Sequence, residues 1–464
     1  MLFNSNTFLL FFALFYLAYL PLRKSVALRN ALILLGSLIF YGSWSVPFLG
    51  LMVFTASMDF VLALLISRVK SGGYRRLLLI GSLALNLGIL GYFKYAGFAL
   101  ELWSDLLSAF HRESTAKVFA VILPVGISFY VFQSIGYVFD VYRGLIPPER
   151  NWIKFLSFVS FFPQLVAGPI ERAPQLAPQF SVRQEITVPG CAEAIWLLLW
   201  GFFKKVVSAD NLAPYVDLVF GQETFAPGLY ALATVAFGLQ IYCDFSGYSD
   251  IARGLAKLLG FDIISNFNLP YFSRNLREFW GRWHISLSSW FRDYLYIPLG
   301  GNRRGLERTC QNLLAVMVIA GLWHGAGWPF VLWGAWLGLG LVINHLWRAA
   351  ALPALGWAPS WFVTMLVVFL GWFLFRARSL EQIYTVLCLN GGVAMPFWTW
   401  FFVRGVLIFA VPLLLVETIQ FLRKDRLWPV KLPFLPQSIF YGALAALVVI
   451  YWKQEGTPFI YFQF

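Results

Sequence analysis

The sequence predicts an all-α, polytopic membrane protein, and three observations carry that prediction. Of 464 residues, 59% are hydrophobic and 19% aromatic, while only 12% are charged, a balance foreign to a soluble globule. The apolar residues fall in segments long enough to cross or enter a hydrocarbon core about 30 Å thick. The formal excess of 13 positive charges sits mainly in short loops, where Lys and Arg orient a chain in a bilayer. A nucleic-acid partner is therefore not expected; the lipid bilayer is.

Taken in order, apolar segments fall near 5–21, 31–46, 48–67, 77–98 and 117–139. The first lacks a basic start and a small-residue cleavage site, so it reads as a retained span. Arg23, Lys24 and Arg29 follow it; Arg68, Lys70, Arg75 and Arg76 follow the third; Arg143, Arg150 and Lys154 follow the fifth. The stretch from Glu101 to Glu113 is balanced to acidic. This alternation places the N-terminus outside and the Arg-rich loops inside. Asp59 lies within the third segment, where a Lys or Arg partner is the expectation.

Residues 155–170 are apolar but end at Gly168-Pro169, which predicts a re-entrant or interfacial segment. The polar region 173–190 reads as surface, and apolar segments follow near 191–207 and 225–243. Next, Tyr242-Cys243-Asp244-Phe245-Ser246-Gly247-Tyr248-Ser249-Asp250 is dense in polar groups for its setting. Such groups must be paired or face water, so this stretch is expected to wall a cavity. Over 275–297, Trp280, His284, Leu287, Phe291 and Tyr294 fall on one stripe, predicting an amphipathic helix with an i, i+4 pair of Glu278 and Arg282. Spans near 359–376, 400–421 and 436–452 complete the chain, with Glu417 inside one of them. The expected total is 11 to 13 membrane segments in one domain, 1–464, with its catalytic centre within 241–347.

The centre of the reading is His324. Between Tyr271 and Arg308 lie seven arginines against three acids, and then an almost wholly apolar run extends from Gln311 to Trp347. Basic residues at both ends make that run a hairpin with its ends on one side. Its first limb, Gln311 to Trp323, has 13 residues, about 20 Å at ~1.5 Å per residue. His324 is thus expected to stop inside the membrane, at the turn Gly325-Ala326-Gly327-Trp328-Pro329. Broken backbone at that depth must be buried in protein or line a cavity. Ionisable groups there are costly and functional by default, so His324 is favoured as functional over a satisfied core histidine. His284 is balanced between a direct role and a supporting one; His111 and His345 read as structural.

Several chemistries are excluded. There is no G-x-S-x-G elbow, P-loop or H-E-x-x-H, and Pro329 stands where an H-x-x-x-x-D signature needs its acid. Cys191, Cys243, Cys310 and Cys388 form no C-x-x-C, so neither a metal site nor a disulfide framework is expected. No pair of broken repeat helices supports a transporter. What remains is a neutral-range base, able to take the proton of a hydroxyl as it attacks a thioester.

The residues also carry a resemblance. Arg277-Glu278-Phe279-Trp280, Arg282-Trp283-His284-Ile285-Ser286-Leu287-Ser288 and Arg292-Asp293-Tyr294 resemble the signature of the membrane-bound O-acyltransferase family. So do Asp244 to Asp250, Gly321-Leu322-Trp323-His324-Gly325, Tyr296 to Asn302 and Val166 to Ile170, while Pro458 to Phe462 is similar to the alginate O-acetyltransferase branch. The resemblance implies a ring of tilted helices around a central tunnel, His324 as the catalytic histidine and His284 as its companion. It implies an acyl group carried outward from a cytoplasmic thioester, acetyl-CoA or another, with no bound cofactor. A periplasmic or membrane-anchored acetyltransferase partner, an exopolysaccharide acceptor and the bacterial cytoplasmic membrane follow from the same branch. Asp244, Tyr248, Ser249, Asn268, Arg282, Trp283 and Trp323 are the substrate-binding candidates. The D-alanyl transferases of teichoic acid share these motifs and use a carrier-protein thioester, so donor and acceptor stay open. The arginine shelf either orients the chain or meets the phosphates of the donor.

Overall fold

The computed structural model describes residues 1–110, 122–222, 225–353, 355–389, 395–453 and 457–460; His111 lies outside them. Among the described residues the chain is helical, without a strand. The helices of eight residues or more are labelled here in chain order: α1 Asn6–Leu22, α2 Val26–Gly42, α3 Val46–Arg68, α4 Gly72–Ala109, α5 Ile127–Tyr142, α6 Trp152–Val159 and α7 Val188–Phe202. They continue with α8 Asp210–Phe220, α9 Pro227–Leu258, α10 Gly305–His324, α11 Trp328–Ala349, α12 Trp357–Arg376, α13 Thr399–Arg423 and α14 Phe434–Tyr451. Their starts follow local chemistry. Side chains of Ser5, Ser25, Asn151 and Thr187 accept from the first free N–H groups of α1, α2, α6 and α7, and proline sits in the first turn of α3, α9 and α11.

Among the described residues, seven helices (α3, α4, α9, α11, α12, α13 and α14) are long and apolar enough to cross a membrane. Shorter or more polar helices, among them α1, α2, α5, α7 and α10, provide the remaining apolar segments. Lipid-type surface is plain on α14, where Phe434, Leu435, Ile439, Val449 and Ile450 are exposed. By contrast α9 runs through the centre, with every residue from Ala236 to Ser249 buried.

Several expectations need correction. The stretch 275–297 is not one helix. It is divided into Leu276–Trp280 and Ile285–Phe291, followed by a π turn over Arg292–Tyr296. The break comes at His284, whose φ of 43° puts a non-glycine residue in the left-handed region. The helix ending at His324 begins at Gly305, not Gln311; the added turns carry exposed Glu307 and Arg308, so its apolar part keeps the length expected. Asp59 has no cationic partner among the described residues: Ser82 Oγ donates to it at 2.6 Å and Asn86 Nδ2 at 2.9 Å. Glu417 accepts from Tyr242 at 2.5 Å. Over the segment 155–170, α6 ends at Val159 and is followed by a four-residue helical turn, Phe162–Leu165.

Candidate active site

The site is built on the α10–α11 hairpin. A Cβ on Gly321 would lie 2.2 Å from the Phe330 carbonyl oxygen, and one on Gly334 would lie 2.4 Å from that of Met317. The two backbones therefore touch, and only glycine permits it. Gly325 leaves the helix in an extended conformation, and Pro329 opens α11 in its first turn. This sets His324 at the last position of α10, 4% exposed, with Trp323, Trp333 and Phe375 edge-on to its ring at 4.9, 5.0 and 5.3 Å.

His324 and Trp323 face a cavity of about 940 Å³ whose wall also includes Tyr41, Lys94, Ser128 and Phe129. A helix leaves its last carbonyls without partners, and here α4 supplies them. Tyr95 donates to the Leu322 oxygen at 2.7 Å. Lys94 Nζ donates to the oxygens of Trp323 and His324, the latter at 3.1 Å. A cation at a helix C-terminus is also favoured by the helix dipole. Sequence reasoning passed over Lys94, although a lysine inside an apolar segment is itself a signal.

His284 stands behind Trp323, whose indole is 6.1 Å from the His284 ring and 4.9 Å from the His324 ring. It is fully buried and does not line the cavity. Its loop is pinned to α9 by Asn266: Oδ1 accepts from Ser286 Oγ at 2.6 Å and from the Ser286 N–H at 3.3 Å, and Nδ2 donates to Ser249 at 3.2 Å. Ser286 Oγ lies 3.5 Å from His284 Nδ1 and accepts from the Ile170 N–H at 3.0 Å.

Of the substrate-binding candidates, Trp323 shares the cavity with His324. The others sit elsewhere, because each has found a partner inside the protein. Asp244 pairs with Lys205 at 2.7 Å and accepts from the Ile460 N–H at 2.6 Å, while Lys205 also pairs with Asp210 at 2.9 Å. Tyr248 stacks on Phe3 at 4.4 Å, and Ser249 is held by Asn266. Trp283 packs between Phe279 and Trp372, 5.6 and 4.7 Å away. Arg282 pairs with Glu278 at 2.8 Å, and its carbonyl accepts from the Asn268 N–H at 2.9 Å. The stretch from Tyr242 to Asp250 thus does not line the His324 cavity; Tyr242 and Asp250 line a second, smaller one, and the buried Ser246 and Tyr248 hydroxyls have no hydrogen-bond partner among the described residues.

The arginine shelf is partly neutralised. Glu278 also meets Arg274, and Asp293 meets Arg172 and Arg292. Burial works to raise the Glu278 pKa, but the Arg274 N–H and the charges of Arg282 and Arg274 outweigh it and hold the carboxyl below its usual value. Arg303 and Arg304 are exposed and have no carboxylate partner among the described residues.

A polytopic helical protein with a histidine ending a broken hairpin, on the wall of a large cavity, has the parts of a membrane group-transfer enzyme. The chain belongs to the membrane-bound O-acyltransferase family, whose profile matches residues 148–386, and it is an O-acyltransferase. It is 43% identical over 388 residues to the probable alginate O-acetylase AlgI of Azotobacter vinelandii, covering 82% of this chain and 76% of that protein. It is 34% identical over 425 residues to the peptidoglycan O-acetyltransferase of Helicobacter pylori, covering 83% and 79%. A teichoic acid D-alanyltransferase of Streptococcus thermophilus is 31% identical over 246 residues, covering 48% and 57%.

Proposed function

We propose that the protein moves an acetyl group from a cytoplasmic thioester across the membrane for O-acetylation of a secreted polysaccharide such as alginate, with His324 as general base. The observation that carries this reading is the position of His324, at the end of α10 and on the wall of the 940 Å³ cavity. The identity to alginate O-acetylases supports the polysaccharide class. In the reaction the acceptor hydroxyl oxygen attacks the thioester carbonyl carbon and its proton passes to His324. The carbonyl electron pair moves onto oxygen, returns on collapse and expels the thiolate, which takes the proton back. General-base help of this kind is worth ~10²- to 10⁴-fold in rate.

The donor is acetyl-CoA or another acyl thioester, with Arg303 and Arg304 as cations for its phosphates. The loop charges favour an N-terminus outside; in a bacterial inner membrane the acyl group then leaves towards an exported or membrane-anchored acetyltransferase partner. His284 acts as companion to His324 through Trp323. The test is His324→Ala. The protein should insert and fold, because the adjoining Gly-rich turn tolerates the loss of a side chain, and the polymer should lose its acetyl groups. His284→Ala should lower acetylation less. Normal acetylation by a normally expressed His324→Ala protein sinks the mechanism.

A further inference from the structure

Acyl transfer as written above moves a proton and also places a negative charge on the thioester carbonyl oxygen. His324 takes the proton; the oxygen needs a donor of its own. Few donors on the wall of the His324 cavity are available. Three of its hydroxyls have their single hydrogens committed to backbone carbonyls: Ser5 to Leu2 at 2.7 Å, Tyr41 to Val125 at 2.9 Å and Ser43 to Phe40 at 2.8 Å. The Met1 amino group, also on the wall, is tied to Ser43 Oγ at 3.1 Å. Lys94 lines the same cavity and holds the residue that carries the base. Its Nζ donates to the carbonyl oxygen of Trp323 and, at 3.1 Å, to that of His324. An ammonium has three N–H donors, and the third on Lys94 has no partner among the described residues. No Asp or Glu among the described residues lines the cavity to compete for it. A donor fixed in advance in this way needs no reorganisation when charge develops.

We propose that Lys94 is the oxyanion donor of the acyl transfer, its third N–H meeting the thioester carbonyl oxygen while His324 faces the attacking hydroxyl. The inference rests on acyl transfer with His324 as base, and it adds the group that carries the developing charge. As the hydroxyl oxygen bonds to the carbonyl carbon, the C=O π pair moves onto oxygen and is held by the ammonium, and the hydroxyl proton passes to His324. When the pair returns, the C–S bond breaks and the thiolate leaves with the proton from His324. Lys94 keeps its own protons throughout. One ammonium grips both the backbone of His324 and the oxyanion, so base and oxyanion site keep a fixed spacing.

The test uses purified full-length protein in nanodiscs and two analogues built on the pantetheine arm that coenzyme A and carrier proteins share. One is a methylphosphonate, whose anionic oxygen on a tetrahedral centre stands in for the oxyanion. The other is a methyl ketone with a methylene in place of sulfur, which keeps the neutral planar carbonyl. The wild type should bind the phosphonate at least ~10²-fold more tightly, the low end for transition-state analogues. Lys94→Arg should keep a preference, and Lys94→Met should bring the ratio close to one. In thioester turnover, Lys94→Met should lower kcat about 10²- to 10³-fold, the cost of one oxyanion donor, with KM for the thioester unchanged. Tyr95→Phe, which removes the bond to the Leu322 carbonyl at the same helix end, should leave the binding ratio unchanged and so separates charge stabilisation from support of α10. Equal wild-type affinities, binding of neither analogue, a phosphonate preference that survives in Lys94→Met, or a loss in that variant confined to KM would overturn the proposal. A preference that follows Lys94 in a protein whose His324→Ala variant still acetylates would instead overturn the general-base reading and leave the oxyanion donor standing.

Discussion

Ser286 Oγ donates its hydrogen bond to Asn266 Oδ1 at 2.6 Å, which leaves it only acceptor capacity towards His284 Nδ1. The Ser286 backbone N–H, which can only donate, lies 3.3 Å from the same oxygen, so the Asn266 amide has a single consistent orientation. With its one hydrogen committed, Ser286 Oγ can only accept from His284 Nδ1 at 3.5 Å. This arrangement suits the Nδ1–H tautomer of His284, in which Nε2, without a hydrogen-bond partner among the described residues, is the acceptor.

Ser286→Ala removes the group that favours this tautomer. If His284 supports the reaction through Nε2, kcat should fall about tenfold, less than the ~10²- to 10⁴-fold of a direct acid–base group, with KM for the donor unchanged. Ser286→Thr, which keeps the hydroxyl, should restore part of the rate. Equal rates for the alanine variant and wild type would remove His284 from the mechanism.

The glycine seam makes a prediction about stability. Gly334→Ala places a methyl group 2.4 Å from a backbone oxygen and should destabilise the protein by about 1–3 kcal/mol, lowering its unfolding midpoint in detergent. Gly442→Ala, on α14 where a Cβ meets nothing within 4 Å, should be neutral or slightly stabilising. Matching midpoints for the two variants would contradict the seam.

Reversal of Arg303 and Arg304, two of the four shelf arginines without a carboxylate partner among the described residues, tests the donor site. Arg303→Glu with Arg304→Glu should raise KM for the thioester about tenfold, equivalent to ~1.4 kcal/mol of phosphate contact, while membrane insertion stays normal. An unchanged KM leaves the shelf with an orienting role alone.

Orientation is open to direct labelling. In a background without the four native cysteines, single cysteines at positions 26, 72 and 146 should react from the cytoplasm and one at 106 from outside. Labelling of 106 from the same side as 72 would reverse the topology.

What the sequence makes legible is local. The hairpin at His324 can be read because hydropathy, Gly and Pro act over a few residues. The clamp of Lys94 on α10 joins groups 230 residues apart, and no periodicity reports it. The break at His284 is hidden for another reason. The helices on either side, of five and seven residues, keep the apolar stripe nearly in phase, so only Gly281 hints at an interruption. Asp59 shows a third limit: Ser82 and Asn86, one helical turn apart on α4, satisfy it as neutral donors, where charge alone leads one to look for a lysine or arginine.

The length of α4 ties the site to the membrane mechanically. Its 38 residues extend about 57 Å, well beyond a ~30 Å hydrocarbon core. Lys94 and Tyr95 ride on it roughly 33 Å from its Gly72 end. A rod pivoting at that end by one degree moves Lys94 by roughly 0.6 Å, similar to the ~0.5 Å tolerance that catalytic groups allow. Helix tilt follows bilayer thickness. The α4 helix is thus a lever arm from the bilayer to the carbonyls of Trp323 and His324, through which a change in lipid thickness would act on the position of His324.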